Sequence, residues 1–263
     1  ICGCPFFCSG WHGKYLHEKL FLDYLIEDHI NLVYIMADES AFLGNCPYSN
    51  GCTHYMDGCK DCPQQKAYQR LLFPNVPAKA FGVKQNAYPQ INAAFVAPEY
   101  VINTAKLSPL MKGCSLGILD EAVDMEANRP RDTKTLRKEL QIDDDKLVFV
   151  CVAKLNQPSK GASYFIEAAR KLENDPRFVF IHIGHNCKYP KPLPANLITK
   201  GYVNNQDELS QYYSMADLFV FASVLDTMPN TCLEALGCGS PLLCFDVSGM
   251  SYLGDSSVMT LVE

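Results

Sequence analysis

The sequence predicts an α/β protein with parallel sheets, and three observations carry that prediction. Short, uninterrupted apolar runs such as Leu32–Met36, Leu147–Ala153 and Leu218–Ala222 have the length of strands buried on both faces. They alternate with stretches whose apolar residues recur at helical spacing, as Phe165, Ile166 and Ala169 do. Residues 218–241 then read as strand, loop, helix and the start of another strand. That unit sets backbone N–H groups and a helix N-terminus at the carboxyl edge of a parallel sheet, where phosphates are bound.

Taken in order, residues 1–13 are rich in Gly, Cys and Phe and close on Trp11-His12-Gly13. A helix is expected over 14–27, with Leu16, Leu20, Leu25 and Ile26 on one face, followed by the strand at Leu32–Met36. Next comes a loop with Cys46, Cys52, Cys59 and Cys62, the last two as Cys-x-x-Cys. With little apolar content to hold such a loop, a tetrahedral thiolate site for a structural zinc is preferred, and two local disulfides are the alternative. His54 is a spare candidate ligand. Pro74, Pro77 and Pro89 break the helical stretch 64–90, and strands at Ala93–Ala97 and Leu116–Leu119 flank a helix over Tyr100–Leu107.

Residues 120–135 are polar and proline-broken, which places a domain boundary there and gives domains 1–125 and 126–263. Beyond it the rhythm is regular. A helix over Thr133–Leu140 and the strand Leu147–Ala153 lead through a loop with Lys154, Lys160 and Gly161 into a helix over Ala162–Leu172. A lysine at a helix N-terminus opposes the dipole at a cost of ~0.3–1 kcal/mol, a placement that makes sense if an anion lies between them. The strand Phe178–Gly184, a Pro/Lys loop over 185–195 and the helix Gln206–Met215 complete the approach to Leu218.

In bulk the 263 residues are 48% hydrophobic and 20% charged, an ordinary globular composition. The net charge of −6 with no Lys/Arg run argues against a nucleic-acid partner, and no apolar window spans a membrane. Cys151, Cys232, Cys238 and Cys244 lie in apolar elements, a usage that fits a reducing compartment. Ile1 is not an initiator methionine and Glu263 directly follows the strand-like Val258–Val262, so a fragment is expected.

Asp226 and Glu234 bracket the loop after Leu218–Ala222, eight positions apart. Thr231-x-x-Glu234 also matches a capping box, in which Glu234 would only accept the N-cap's backbone N–H. The stretch resembles the E-x7-E segment of the family 4 retaining glycosyltransferases, whose fold is GT-B: two Rossmann-like, doubly wound domains, the first truncated here. The cysteine pattern after Ser40-Ala-Phe-Leu-Gly-Asn-Cys46-Pro-Tyr48, ending at Cys62-Pro63, is similar to an insert in a subset linked to capsule and exopolysaccharide assembly. Trp11-His12-Gly13-Lys14-Tyr15-Leu16 resembles the same subset.

The resemblance implies a cytoplasmic enzyme, at or near the inner face of the membrane. It would move a sugar from a nucleoside-diphosphate sugar to a saccharide or lipid-linked acceptor with retention. Asp226 would reach donor-sugar hydroxyls, the loop from Met228 through Pro229 and Asn230 to Thr231 would hold sugar and phosphate, and Glu234 would bind ribose hydroxyls. Lys154 and Lys160 would clamp the diphosphate, with Gly161 and Gly184 where backbone meets ligand and Tyr202-Val203 beside the base. No cofactor is needed for catalysis in this scheme. Departures are present: Asp226 is shorter than the usual Glu, Lys154 lacks the fork of the usual Arg, and Ala37-Asp38 stands where the family has His-Asp. Asp38 is kept as a site residue. The departures leave open a second reading, a nucleotide-sugar-binding homologue without turnover. A sugar-nucleotide epimerase of the same fold is the third.

Overall fold

The computed structural model describes residues 6–9, 18–64, 76–185, 188–227 and 229–263. The chain divides into two compact units, Ile1–Asp120 and Glu121–Glu263. The division falls a little before the expected boundary because the polar stretch after Asp120 packs on the second unit. There Gln206 donates to Asn128 at 2.7 Å and Ser210 donates to the Ala127 carbonyl at 2.8 Å.

In the first unit four parallel strands lie in sequential order: β1 (Phe6–Ser9), β2 (Leu32–Ile35), β3 (Ala93–Ala97) and β4 (Ser115–Ile118). Strand β3 is paired on both sides, and Ala93, Phe95 and Ala97 alternate inward along it. Helices α1 (Glu18–Glu27), α2 (Val76–Ala87) and α3 (Glu99–Ala105) supply Leu22, Leu25, Phe81, Val101 and Ile102 to the same core. Pro77 does not break α2 as expected; it sits in the first turn, where its missing N–H has no intrahelical partner to lose. Strand β1 is an element the sequence reading did not assign.

The cysteine loop is part of this core. Ala41, Phe42, Leu43 and Tyr55 are all buried, and Phe42 is fully so. Lys84, 1% exposed, sends its ammonium to the carbonyls of Ser40 and Leu43 at 2.6 and 3.0 Å. Tyr88 and Ser108 donate to the carbonyls of Ala41 and Phe42. Apolar burial and buried hydrogen bonds therefore anchor the loop, contrary to the expectation that it lacks such support.

The second unit is a six-stranded parallel sheet of β5 (Leu147–Val152), β6 (Phe178–Ile183), β7 (Leu197–Lys200), β8 (Leu218–Phe221), β9 (Leu242–Phe245) and β10 (Met259–Val262). The order is β10-β9-β8-β5-β6-β7, so winding reverses between β5 and β8. Its helices are α4 (Lys134–Glu139), α5 (Ala162–Lys171), α6 (Gln206–Met215) and α7 (Asn230–Gly237). Alternation along the strands divides the core in two. Val148, Val150 and Phe219 pack with Tyr212, Tyr213, Cys232 and Ala235 of α6 and α7, whereas Cys151 and Phe180 pack with Phe165, Ile166 and Ala169 of α5. Helices on both faces make the sheet doubly wound. Each fully buried large side chain contributes roughly 1.5–3 kcal/mol.

Candidate active site

In an open α/β sheet, ligands bind beyond the carboxyl ends of the strands where winding reverses. Here that point lies between β5 and β8, and two loops leave it side by side. The first runs from Ala153 to Gly161 and the second from Ala222 to Pro229. They are laced together: Val224 N–H and the Ser223 hydroxyl both donate to the Ser159 carbonyl at 2.9 Å. Gly161 has φ +66°, and a Cβ there would sit 1.6 Å from the Ala222 carbonyl oxygen. Only glycine allows that approach.

A cavity of about 610 Å³ opens at this point. One end is polar, with Lys154 and Lys160 from the first loop, Asp226 from the second, and Pro229, Asn230 and Thr231 at the start of α7. Pro229 caps α7 without a side-chain hydrogen bond, and Asn230 and Thr231, whose N–H groups begin the helix, line the cavity end. The Lys160 ammonium lies 2.5 Å from Asp226 Oδ2, and both side chains are largely shielded from solvent. Glu234 lines the wall, and its Oε2 accepts a 2.7 Å hydrogen bond from the Tyr213 hydroxyl. The capping-box alternative is thereby ruled out: Thr231 lies inside the helix and the Glu234 carboxylate is turned to α6. Burial and the nearby Glu234 push the Tyr213 phenol well above its usual range, so it stays a proton donor.

Residues 132–255 match the family model for Glycosyl transferases group 1. Among curated relatives, the putative teichuronic acid biosynthesis glycosyltransferase TuaC of Bacillus subtilis is 32% identical over 122 residues, covering 45% of this chain and 29% of that protein. The UDP-Gal:alpha-D-GlcNAc-diphosphoundecaprenol alpha-1,3-galactosyltransferase of Escherichia coli is 28% identical over 152 residues, covering 52% of this chain and 38% of its own length. The chain thus spans less than two fifths of either relative. Among solved structures, Anabaena HepE in complex with UDP superposes with a TM-score of 0.65 at 15% identity, over 93% of this chain and 61% of that one. WaaG, a glycosyltransferase involved in lipopolysaccharide biosynthesis, does so with a TM-score of 0.60 at 14% identity, over 97% and 71%. The fold is therefore α/β with parallel sheets, shared with GT-B glycosyltransferases.

The second unit brings Lys154, Lys160, Gly184, Tyr202, Val203, Asp226, Pro229, Asn230, Thr231 and Glu234 to one cavity. Gly161 is not on its wall; its role is the close approach of the two loops. Met228 lies outside the described residues, as does Trp11-His12-Gly13. The far end of the cavity carries a feature the sequence reading missed. His185 and Tyr202 meet edge to face, ring centroids 5.6 Å apart, and Tyr202 is 67% exposed. His185 sits in the Pro/Lys loop, whose composition hid it. Gln157, Asn204 and Gln206 also line the cavity and carried no motif.

Two expected sites in the first unit are not formed as foreseen. Asp38 is 4% exposed and accepts hydrogen bonds from the backbone N–H and hydroxyl of Ser40 at 2.9 and 2.5 Å, so its carboxylate shapes the turn into the cysteine loop. Cys46, Cys52, Cys59 and Cys62 do line one small pocket together, all as free thiols rather than disulfides. Among the described residues, however, no group of three or more His, Cys, Asp or Glu is arranged to hold a metal ion. The zinc expectation is not supported. Burial, with the other thiols adding to it, raises Cys46 to about 12 and Cys59 to about 11, so both are neutral in this setting. His54 turns its Nδ1 to the Lys60 carbonyl at 2.7 Å.

Proposed function

We propose that the chain is part of a retaining glycosyltransferase of the family 4 type. It would transfer a sugar from a nucleoside-diphosphate sugar to a saccharide or lipid-linked acceptor in cell-surface polysaccharide biosynthesis. One observation carries this reading: a single cavity at the reversal of the sheet joins two lysines and an uncapped helix N-terminus to an aromatic pair. The cationic end suits a diphosphate, and the aromatic end suits a base. HepE, of the same fold, is described in complex with UDP-glucose.

Chemically, Lys154, Lys160 and the α7 N-terminus would stabilise the charge that builds on the leaving diphosphate. Preorganised donors of this kind contribute about 3–4 kcal/mol each in measured cases. Lys160 is held by Asp226, so a diphosphate would compete with that carboxylate for the ammonium. Release of Asp226 would leave an acceptor for sugar hydroxyls beside the anomeric centre. Retention would follow if the leaving phosphate itself took the acceptor's proton.

A second reading is favoured by the same ion pair and by Ala37: a nucleotide-sugar binder without turnover. Radiolabelled UDP-, ADP- and GDP-sugars separate the two. Transfer or slow hydrolysis that is lost in Lys160→Ala supports the transferase; tight binding with neither supports the second reading; no binding of any donor overturns both. No helix among the described residues is long and apolar enough to cross a membrane. A cytoplasmic site of action, with contact at the inner membrane face, belongs to the proposal and is tested by fractionating cells that express the full protein.

A further inference from the structure

Glu234 is the carboxylate on the cavity wall whose place is set by another helix. It sits on α7, and the group that holds it, Tyr213, sits on α6. Tyr213 is 0% exposed, and its ring packs edge to face on Phe219 at 5.4 Å. A buried hydroxyl must find a partner, and this one has the carboxylate Oε2 at 2.7 Å. A phenol has one proton to donate, and an ionised carboxylate is an acceptor with two oxygens. The Tyr213 bond therefore engages one oxygen and orients the plane of the group, leaving the acceptor capacity of the other for a ligand. Two neighbouring hydroxyls, such as those of a pentose, are the donors that a fixed carboxylate edge recognises best.

We propose that Tyr213 is a positioning residue that locks Glu234 to receive the vicinal hydroxyls of the donor's pentose, and so makes the site discriminate ribose from deoxyribose. The inference rests on reading the cavity as a nucleoside-diphosphate site. A tyrosine that merely tied α6 to α7 would change stability and leave that discrimination alone. Tyr213→Phe removes one oxygen and keeps the ring on Phe219, so the packing of the two helices is preserved.

The test is calorimetric titration of the chain with UDP, ADP and GDP, then with the 2′-deoxy form of whichever binds most tightly. Wild type is expected to prefer the ribose form by about tenfold or more, as sites built to bond a hydroxyl do. Tyr213→Phe should reduce that preference to the level of Glu234→Ala, and the double variant should be no worse than Glu234→Ala alone. Near-ultraviolet circular dichroism checks that each variant retains native packing. A Tyr213→Phe protein with the full wild-type preference overturns the positioning role while leaving the nucleotide reading intact. A wild type that binds none of the three removes the reading and this inference with it. Should Tyr213→Phe lose native packing, Glu234→Gln decides: Tyr213 would hold the amide oxygen and turn the NH2, which cannot accept, to the ligand, so loss of ribose preference to the Glu234→Ala level supports the held geometry and a retained wild-type preference overturns it.

Discussion

The two units use the same residue types to opposite ends. Lys84 in the first is 1% exposed and directs its ammonium from α2 to the Ser40 and Leu43 carbonyls of the cysteine loop, with the Glu18 carboxylate 3.3 Å away at its outer side. Lys160 in the second stays partly exposed at a cavity and is met by a carboxylate, Asp226. Asp38 is likewise turned onto its own Ser40, whereas Asp226 lines open space. The topologies differ in step with this. Among the described residues the first sheet runs in sequential order, and the second reverses between β5 and β8. Loops that leave a sheet at a reversal border a crevice beyond the strand ends, so polar groups near it are available to a ligand. A cation becomes a structural staple or a site residue according to the topology beneath it.

That contrast can be broken at its tightest point first. Gly161→Ala should destabilise the second unit by more than about 4 kcal/mol, because a Cβ would overlap the Ala222 carbonyl and the backbone is left-handed. Urea unfolding reads this directly, and a loss under about 0.5 kcal/mol, the scale of ordinary surface changes, would mean the loops are not tied there. Lys84→Met should remove about 3 kcal/mol from the first unit, since two buried carbonyls lose their donor. If its effect instead appeared in nucleotide affinity, the division between staple and site would fail.

The second unit has a pH limit of its own. His182 is 0% exposed and burial lowers it from 6.5 to about 4, with Tyr189 hydroxyl 2.8 Å from its Nδ1. The unfolded chain takes up that proton near pH 6.5 and the folded unit resists it. Stability is therefore complete above the unfolded value and falls as pH drops towards the folded one. The loss approaches about 3 kcal/mol, measurable by denaturant unfolding at successive pH values. Lys160→Ala should weaken UDP binding about 10- to 100-fold, and Asp226→Asn should leave it unchanged or tighter because the ammonium loses its internal partner. The smallest effect concerns the cysteine loop. Chelator treatment should move its unfolding free energy by less than about 0.5 kcal/mol, since Phe42, Tyr55 and Lys84 hold it. A large loss on chelation would restore a metal to that loop.

Much of this was legible beforehand, for identifiable reasons. The helix Gln206–Met215 and the strand Ala93–Ala97 have the expected bounds, because an Asn205 cap starts one and flanking breakers frame the other. Strands β1 and β7 were missed because neither is a continuous apolar run: Ser9 closes the first, and Thr199 and Lys200 fill half of the second. The cysteine loop misled because spacing announces ligands but says nothing of Phe42 and Lys84 closing over it. His185 went unseen because it earns its place from the end of β6 rather than from a motif.

By itself the sequence determined the alternation of buried strands and helices and the gathering of Lys154, Lys160, Asp226 and Glu234 near strand ends, since apolar period and loop position are local properties. Only the tertiary structure decided which of those groups pair. Lys160 meets Asp226, Tyr213 meets Glu234, and Lys84 seals the cysteine loop through contacts between residues far apart in the chain. The physical reason is that a side chain's partner is set by strand order and helix packing, and neither is encoded in the spacing of neighbours.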